Sequence, residues 1–252
     1  MHVRAWFLLV NALLIAPAYG IEVPGRIAST FNHTKWSARD GLPTESVWLA
    51  QSSDGWLWLG GASGLTRFDG VTFERIEIAS PQKRRSDEVY GFYADEEGSL
   101  WIGNRYGGIS RRLADGSFRH YGLTEGIPEE AVTGFAQDAS GAMWAVSSGL
   151  LRMEGEHWRT VAEDEGLPPG KVFAVYVDQY GTVWTSHPQG IFYRPIKETS
   201  FRRVDRVIPP DGGDFLQSPD GRLWYIDREG VHALAAQELR AARAQRATAR
   251  EW

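Results

Sequence analysis

Three short polar clusters carry the side chains best suited to recognition: Asn104-Arg105-Tyr106, His187-Pro188-Gln189 and Asp227-Arg228-Glu229. An arginine fork pairs with a carboxylate or stacks on an aromatic ring, and a tyrosine ring stacks on a sugar or another ring. Asn104, Arg105, Tyr106, His187, Asp227 and Arg228 are therefore the candidate ligand contacts. Catalytic chemistry finds less support. The histidines are His2, His33, His120, His157, His187 and His232, and none has the His-x-His or His-Glu-x-x-His spacing of a metal site. The absence of cysteine excludes thiol catalysis, disulfides and zinc fingers. No Gly-x-Ser-x-Gly nucleophile elbow occurs. Asp54 and Asp220 recur at turns, where an aspartate caps the local backbone. No catalytic residue, metal site or cofactor is expected.

The elements that position these clusters follow a ruler. Trp58, Trp101, Trp144, Trp184 and Trp224 are separated by 43, 43, 40 and 40 residues. Each closes the same phrase, as in Asp54-Gly55-Trp56-Leu57-Trp58 and Asp220-Gly221-Arg222-Leu223-Trp224. A period of about 40 residues marks one supersecondary unit repeated. In the first copy, Val47–Gln51, Trp56–Gly60, Leu65–Phe68 and Thr72–Ile76 read as strands. Turns at Ser53-Asp54-Gly55, Ser63-Gly64 and Asp69-Gly70 separate them, and the first reads as a two-residue hairpin turn. Four short antiparallel strands per repeat predict an all-β chain, a β-propeller with five visible blades. The blades fall near 45–77, 88–121, 131–161, 171–204 and 213–234.

Strand alternation gives the tryptophans a structural task. Leu57, Leu100, Met143, Val183 and Leu223 point away from the tryptophan that follows each of them. A large ring at one depth in every blade fills the gap between neighbouring sheets. Specificity is then expected where the copies differ. The turns between second and third strands gather on one face with the connections leading into each next blade. Repeats one and three have bland turns there, Ala62-Ser63 and Ser147-Ser148, whereas repeats two, four and five carry the three polar clusters.

Composition agrees with an exported globular chain. The 252 residues are 42% hydrophobic and 23% charged, with 28 glycines, as suits many short strands and tight turns. A formal charge of -5 gives no basic face for nucleic acid. Lys83-Arg84-Arg85 is too short a basic run to change that. Residues 1–20 read as a secretory signal peptide: a basic start at His2-Val3-Arg4, an apolar run from Ala5 to Ala16, and Ala18-Tyr19-Gly20 as cleavage site.

The motif Gly41-Leu42-Pro43, Asp54-Gly55-Trp56-Leu57-Trp58-Leu59-Gly60 and Gly64-Leu65-Thr66-Arg67-Phe68-Asp69-Gly70 resembles the two-component regulator propeller repeat. Gly126-Ile127-Pro128 and Gly166-Leu167-Pro168 repeat its opening turn, and the resemblance runs from about Phe31 to Leu234. The resemblance implies the periplasmic sensor region of a bacterial receptor, followed by a transmembrane helix and a histidine kinase or diguanylate cyclase. It also implies a seven-bladed ring, and it carries no catalytic residue. The expected function is binding of a small molecule, saccharides included, on the central face. The expected partners are that ligand and, in the full-length receptor, a membrane segment and a second receptor chain. Other readings are a secreted propeller enzyme of lyase or glycosidase type, and a protein-interaction scaffold.

Two segments bear on ring closure. Residues 30–36 match the fourth strands Phe118–Tyr121 and Trp158–Val161 in position, so they read as an orphan outer strand. Residues 235–252 are rich in Ala, Arg, Gln and Glu and read as a short helix or the start of a further segment. The five repeats of 21–234 are thus expected to be part of a larger ring; the competing reading is a closed five-bladed ring with a helical tail.

Overall fold

The computed structural model describes residues 34–78, 86–204, 213–227 and 229–234. Blade one contains β1 (Ser46–Gln51), β2 (Leu57–Gly61), β3 (Gly64–Phe68) and β4 (Phe73–Ile76). Blade two contains β5 (Val89–Ala94), β6 (Leu100–Asn104), β7 (Ile109–Arg112) and β8 (Phe118–Tyr121). Blade three contains β9 (Gly134–Gln137), β10 (Met143–Val146), β11 (Leu150–Glu154) and β12 (His157–Thr160). Blade four contains β13 (Ala174–Val177), β14 (Val183–His187), β15 (Gly190–Arg194) and β16 (Arg202–Arg203). Blade five shows three strands, β17 (Phe215–Gln217), β18 (Leu223–Asp227) and β19 (Gly230–Ala233). Every sheet is an antiparallel meander in chain order. The first strands of successive blades lie beside one another in the order β1, β5, β9, β13, β17. Among the described residues, β17 makes no comparable approach to β1.

The hairpin between first and second strands differs from the two-residue turn expected from sequence. Ser52 N–H donates to the Trp56 carbonyl at 3.0 Å, leaving a three-residue loop, Ser53-Asp54-Gly55. Gly55 has φ 93°, and its counterparts Gly98, Gly141, Gly181 and Gly221 have φ 85°, 84°, 78° and 83°. The third loop residue sits in the left-handed region, where glycine costs least.

This hairpin also serves the tryptophan. A buried indole N–H is costly to leave without an acceptor. In blades two, three and four the acceptor is an aspartate six residues upstream: Asp95, Asp138 and Asp178, at 2.9, 3.0 and 3.1 Å. Blades one and five use the serines Ser52 and Ser218, at 2.8 and 3.2 Å. Those serines donate in turn to Asp54 and Asp220, two residues on, each at 2.5 Å. The carboxylate has moved two positions along the hairpin, and the hydroxyl bridges the difference.

The tryptophans of blades one, two and three are then roofed by the following blade. Trp158 meets Trp101 edge-on at 6.0 Å, and Phe201 meets Trp144 likewise at 6.0 Å. Phe118 packs in the cluster around Trp58. The Gly-Leu-Pro turn fastens the same junction. It closes a 3-10 turn whose acid caps the backbone behind it: Asp40 accepts from Ser37 N–H (2.7 Å), Glu125 from Gly122 N–H (2.6 Å) and Glu165 from Ala162 N–H (3.1 Å). Gly126 and Gly166 lie so close to the next blade that a Cβ would fall 1.9 Å from the Trp158 carbonyl oxygen and 2.2 Å from that of Phe201. Ile127 and Leu167, next in each turn, are buried.

The ends of the array break the pattern. Leu65, Ile109, Leu150 and Ile191 lie within the first two residues of their third strands and are fully buried, but the equivalent Val231 is 64% exposed. Leu49 is 59% exposed, although its counterparts Phe135, Val175 and Phe215 are buried. Trp224 is half-buried, unlike the other four tryptophans of the ruler. Thr34 to Trp36 form no strand, and Trp36 packs edge-on to Phe68 at 5.0 Å. The signal peptide, the rest of the orphan strand and the expected C-terminal helix lie outside the described residues.

Candidate functional site

Alternating strand direction places the second-to-third turns and the connections between blades at one end of the sheets, and local contacts join them into a rim. Within blades, Ser63 Oγ donates to the Thr44 carbonyl at 2.7 Å and Ser147 Oγ to that of Glu130 at 3.4 Å. Between blades, Asn104 accepts at its carbonyl from Val132 N–H at 3.1 Å. A Cβ on Gly107 would lie 2.5 Å from the Pro128 carbonyl oxygen, so this turn admits nothing larger where it meets the next blade.

Blade two supplies the most developed cluster on this rim. Asn104 is buried and holds its own turn, its Nδ2 donating to the Gly108 carbonyl at 3.0 Å and to Ser110 Oγ at 3.4 Å. Arg105 is anchored twice to Glu88: its guanidinium lies 2.6 Å from the carboxylate, and its N–H donates to the Glu88 carbonyl at 3.2 Å. The guanidinium also faces the Tyr90 and Tyr106 rings at 5.8 and 5.2 Å. The Glu88 hydrogen bond and charge raise the Arg105 pKa further above its ordinary value. Tyr106 is 46% exposed. The cluster thus presents an aromatic ring beside a guanidinium already held by a carboxylate, a surface suited to a polar ligand with a flat or ring-bearing face.

His187 stands on blade four and is only 2% exposed. Its Nδ1 accepts from Gln189 N–H at 3.1 Å, which closes the β14–β15 turn. That bond leaves the proton on Nε2, which faces the Pro169 carbonyl without a well-aligned hydrogen bond. Burial lowers the His187 pKa below its ordinary 6.5, against a smaller opposing effect of that carbonyl. Asp227 ends β18 opposite Gly230, and Arg228 lies outside the described residues. Arg105 and His187 are on blades two and four, with the blade-three turn Ser147-Ser148-Gly149 between them in chain order. Glu88 and Tyr90 are site residues that sequence reasoning missed. The ruler held the signal: Glu45 and Glu88 occupy the same place in successive repeats, 43 residues apart.

Five meander sheets in sequence, with a buried tryptophan at every junction and turns gathered into a rim, decide the architecture. It is the β-propeller fold. Solved structures of the same fold carry varied roles. The extracellular domain of a proposed hybrid two component system from B. thetaiotaomicron superposes with TM-score 0.64 at 19% identity, over 77% of this chain and 28% of that one. A second such domain from the same organism gives 0.63 at 21% identity, over 77% and 30%. Virginiamycin B lyase from Staphylococcus aureus gives 0.58 at 15% identity, over 76% and 70%. The chain therefore spans less than a third of the length of the two-component domains it resembles. No protein-family model and no curated protein matches the sequence. Among the described residues of the propeller, no helix is long and apolar enough to cross a membrane.

Proposed function

We propose that this propeller is the extracytoplasmic sensing module of a bacterial signalling receptor and that it binds a small polar molecule, a saccharide in the first instance, on the rim around Arg105 and Tyr106. The observation that carries the reading is the likeness to extracellular domains of two-component systems over 77% of the chain. The exposed Tyr106 beside the Glu88-anchored Arg105 gives that reading a place to act. The receptor it serves is a periplasmic, inner-membrane protein with a kinase or cyclase as output, and this chain is its non-catalytic part. The five blades belong to a larger ring, a reading supported by Leu49, exposed where Phe135, Val175 and Phe215 are buried, and by Val231, exposed where Ile109, Leu150 and Ile191 are buried.

A thermal-shift screen of neutral and charged oligosaccharides tests the site, since a ligand that binds the native state raises the melting temperature by mass action. The expected result is a stabilising hit that is lost in Arg105→Ala and in Tyr106→Ala. A hit unchanged in both variants would remove the site from the rim of blade two.

A second reading, a secreted lyase-type enzyme, is favoured by the likeness to virginiamycin B lyase, of which 70% is covered. Turnover of a stabilising ligand by purified protein would establish it; binding without turnover supports the sensor.

A further inference from the structure

Blades built on one repeat pose a problem of order. Any blade carrying the repeat offers its neighbour the same apolar face, so wrong partners compete with right ones during folding. The three junction aspartates answer differently. Each accepts from its own tryptophan and from hairpin backbone N–H, but they differ in whether, and where, a cation meets them. Asp95 takes Arg111 of its own blade at 3.3 Å. Asp138 takes Arg194 of the following blade at 3.2 Å. Asp178, among the described residues, pairs with no cation; its donors are Tyr180 N–H, Thr182 N–H and the Trp184 indole.

The residue one step past the tryptophan's partner on each third strand reaches back to the previous blade. Strand pairing sets Trp101 against Arg111, Trp144 against Arg152, Trp184 against Tyr193 and Trp224 against Ala233. The residues that follow are Arg112, Met153, Arg194 and Leu234. Arg112 lies over Trp58 at 5.1 Å and Arg194 over Trp144 at 4.4 Å. Met153 packs in the cluster around Trp101, and Leu234 in that around Trp184. Junction three–four alone in this set joins a buried cation to a buried carboxylate: the Arg194 and Asp138 side chains are 7% and 6% exposed.

We infer that the Arg194–Asp138 pair is a blade-order lock, a contact that blade four makes on blade three and that a blade carrying Met153 or Leu234 at this position cannot make. On blade two, Arg194 would meet Asp95, which Arg111 already holds. Were a blade with Met153 or Leu234 to take the place of blade four, Asp138 would keep its hairpin and indole donors, as Asp178 does, but the displaced Arg194 would lose its carboxylate. A buried charge without its partner is costly, whereas a complete pair is close to neutral against an apolar contact of the same size. The lock therefore acts mainly by penalising wrong neighbours.

Refolding of the full chain from denaturant tests this. Arg194→Met installs the residue blade three uses, and Asp138→Ser with Ser140→Asp installs the hairpin of blades one and five. The triple variant carrying all three changes is expected to unfold at a denaturant concentration close to wild type but to return at least twofold less native monomer, read by size exclusion and near-ultraviolet circular dichroism. Arg194→Lys, which keeps the charge, is expected to refold nearly as well as wild type. A triple variant that refolds with wild-type yield overturns the lock and leaves the pair a contributor to stability alone. Should the triple variant not fold, Arg194→Met and Arg194→Lys decide: equal yields overturn the proposal, and a twofold or larger deficit confined to Met supports it.

Discussion

At the residue scale, the junction tryptophans depend on an oxygen six residues upstream. Asp178 shows the dependence most simply, because its donors are two hairpin N–H groups and the Trp184 indole, with no cation among the described residues to complicate the sum. Asp178→Ala strands buried donors and is expected to destabilise the fold by about 3 kcal/mol. Chemical denaturation of the variant beside wild type measures it. His187 gives a second residue-scale expectation. Its pKa is lowered by burial from 6.5, so the unfolded chain takes the proton first as pH falls. Its contribution is fully present above pH 6.5 and is lost as pH drops below that value towards the lowered folded pKa. Asp138 acts in a lower window. Its burial raises the pKa, but the hydrogen bonds from Ser140, Trp144 and Ala142 outweigh burial and leave it below the ordinary 3.8. Denaturation midpoints at pH 7.5 and 5.5 are expected to differ less in His187→Gln than in wild type.

At the scale of elements, two glycines with almost the same backbone separate conformational cost from close approach. Gly141 has φ 84° and nothing within 4 Å of the point a Cβ would occupy, whereas Gly166 has φ 80° and its Cβ would fall 2.2 Å from the Phe201 carbonyl oxygen. Gly141→Ala is expected to cost about 1–2 kcal/mol, the cost of a left-handed alanine. Gly166→Ala adds a backbone clash between blades and is expected to cost clearly more, read from the same denaturation curves. The periodic tryptophans and turn glycines make strand order legible in sequence, because period and turn chemistry are local signals. The hairpin reads one residue too short in sequence, since an αL glycine serves both a two-residue turn and the three-residue loop found here. Asp95, Asp138 and Asp178 are hard to see because blades one and five place a serine there, so the oxygen recurs while the residue type does not. Of the candidate site, Arg105 and Tyr106 are visible as departures from the period. Their contacts with Glu88 and Tyr90 need the fold, which brings β5 and the turn after β6 together.

Across the whole molecule, the same side chain is core or surface according to whether a blade follows it. Ile191 is fully buried between blades four and five, while Val231, at the same place in the next repeat, is 64% exposed. Ile191→Ala is expected to cost about 2–5 kcal/mol, and Val231→Ala to fall within about 0.5 kcal/mol of wild type. A large loss at Val231 would mean that another blade covers it in solution. The rim, by contrast, is assembled from short turns held by backbone contacts, so substitutions of its exposed side chains are expected to change binding with little effect on folding.

That separation makes one measurement decisive for the sensing role: calorimetric titration of the stabilising ligand into wild type, Arg105→Ala, Tyr106→Ala and a control, Val71→Ala, whose residue is exposed on the turn between β3 and β4. A sensing rim predicts saturable binding without turnover in wild type and control. It predicts at least tenfold weaker binding in both rim variants, with unchanged melting temperatures of the free proteins. Equal affinity in all four proteins would contradict it, as would conversion of the ligand during the titration.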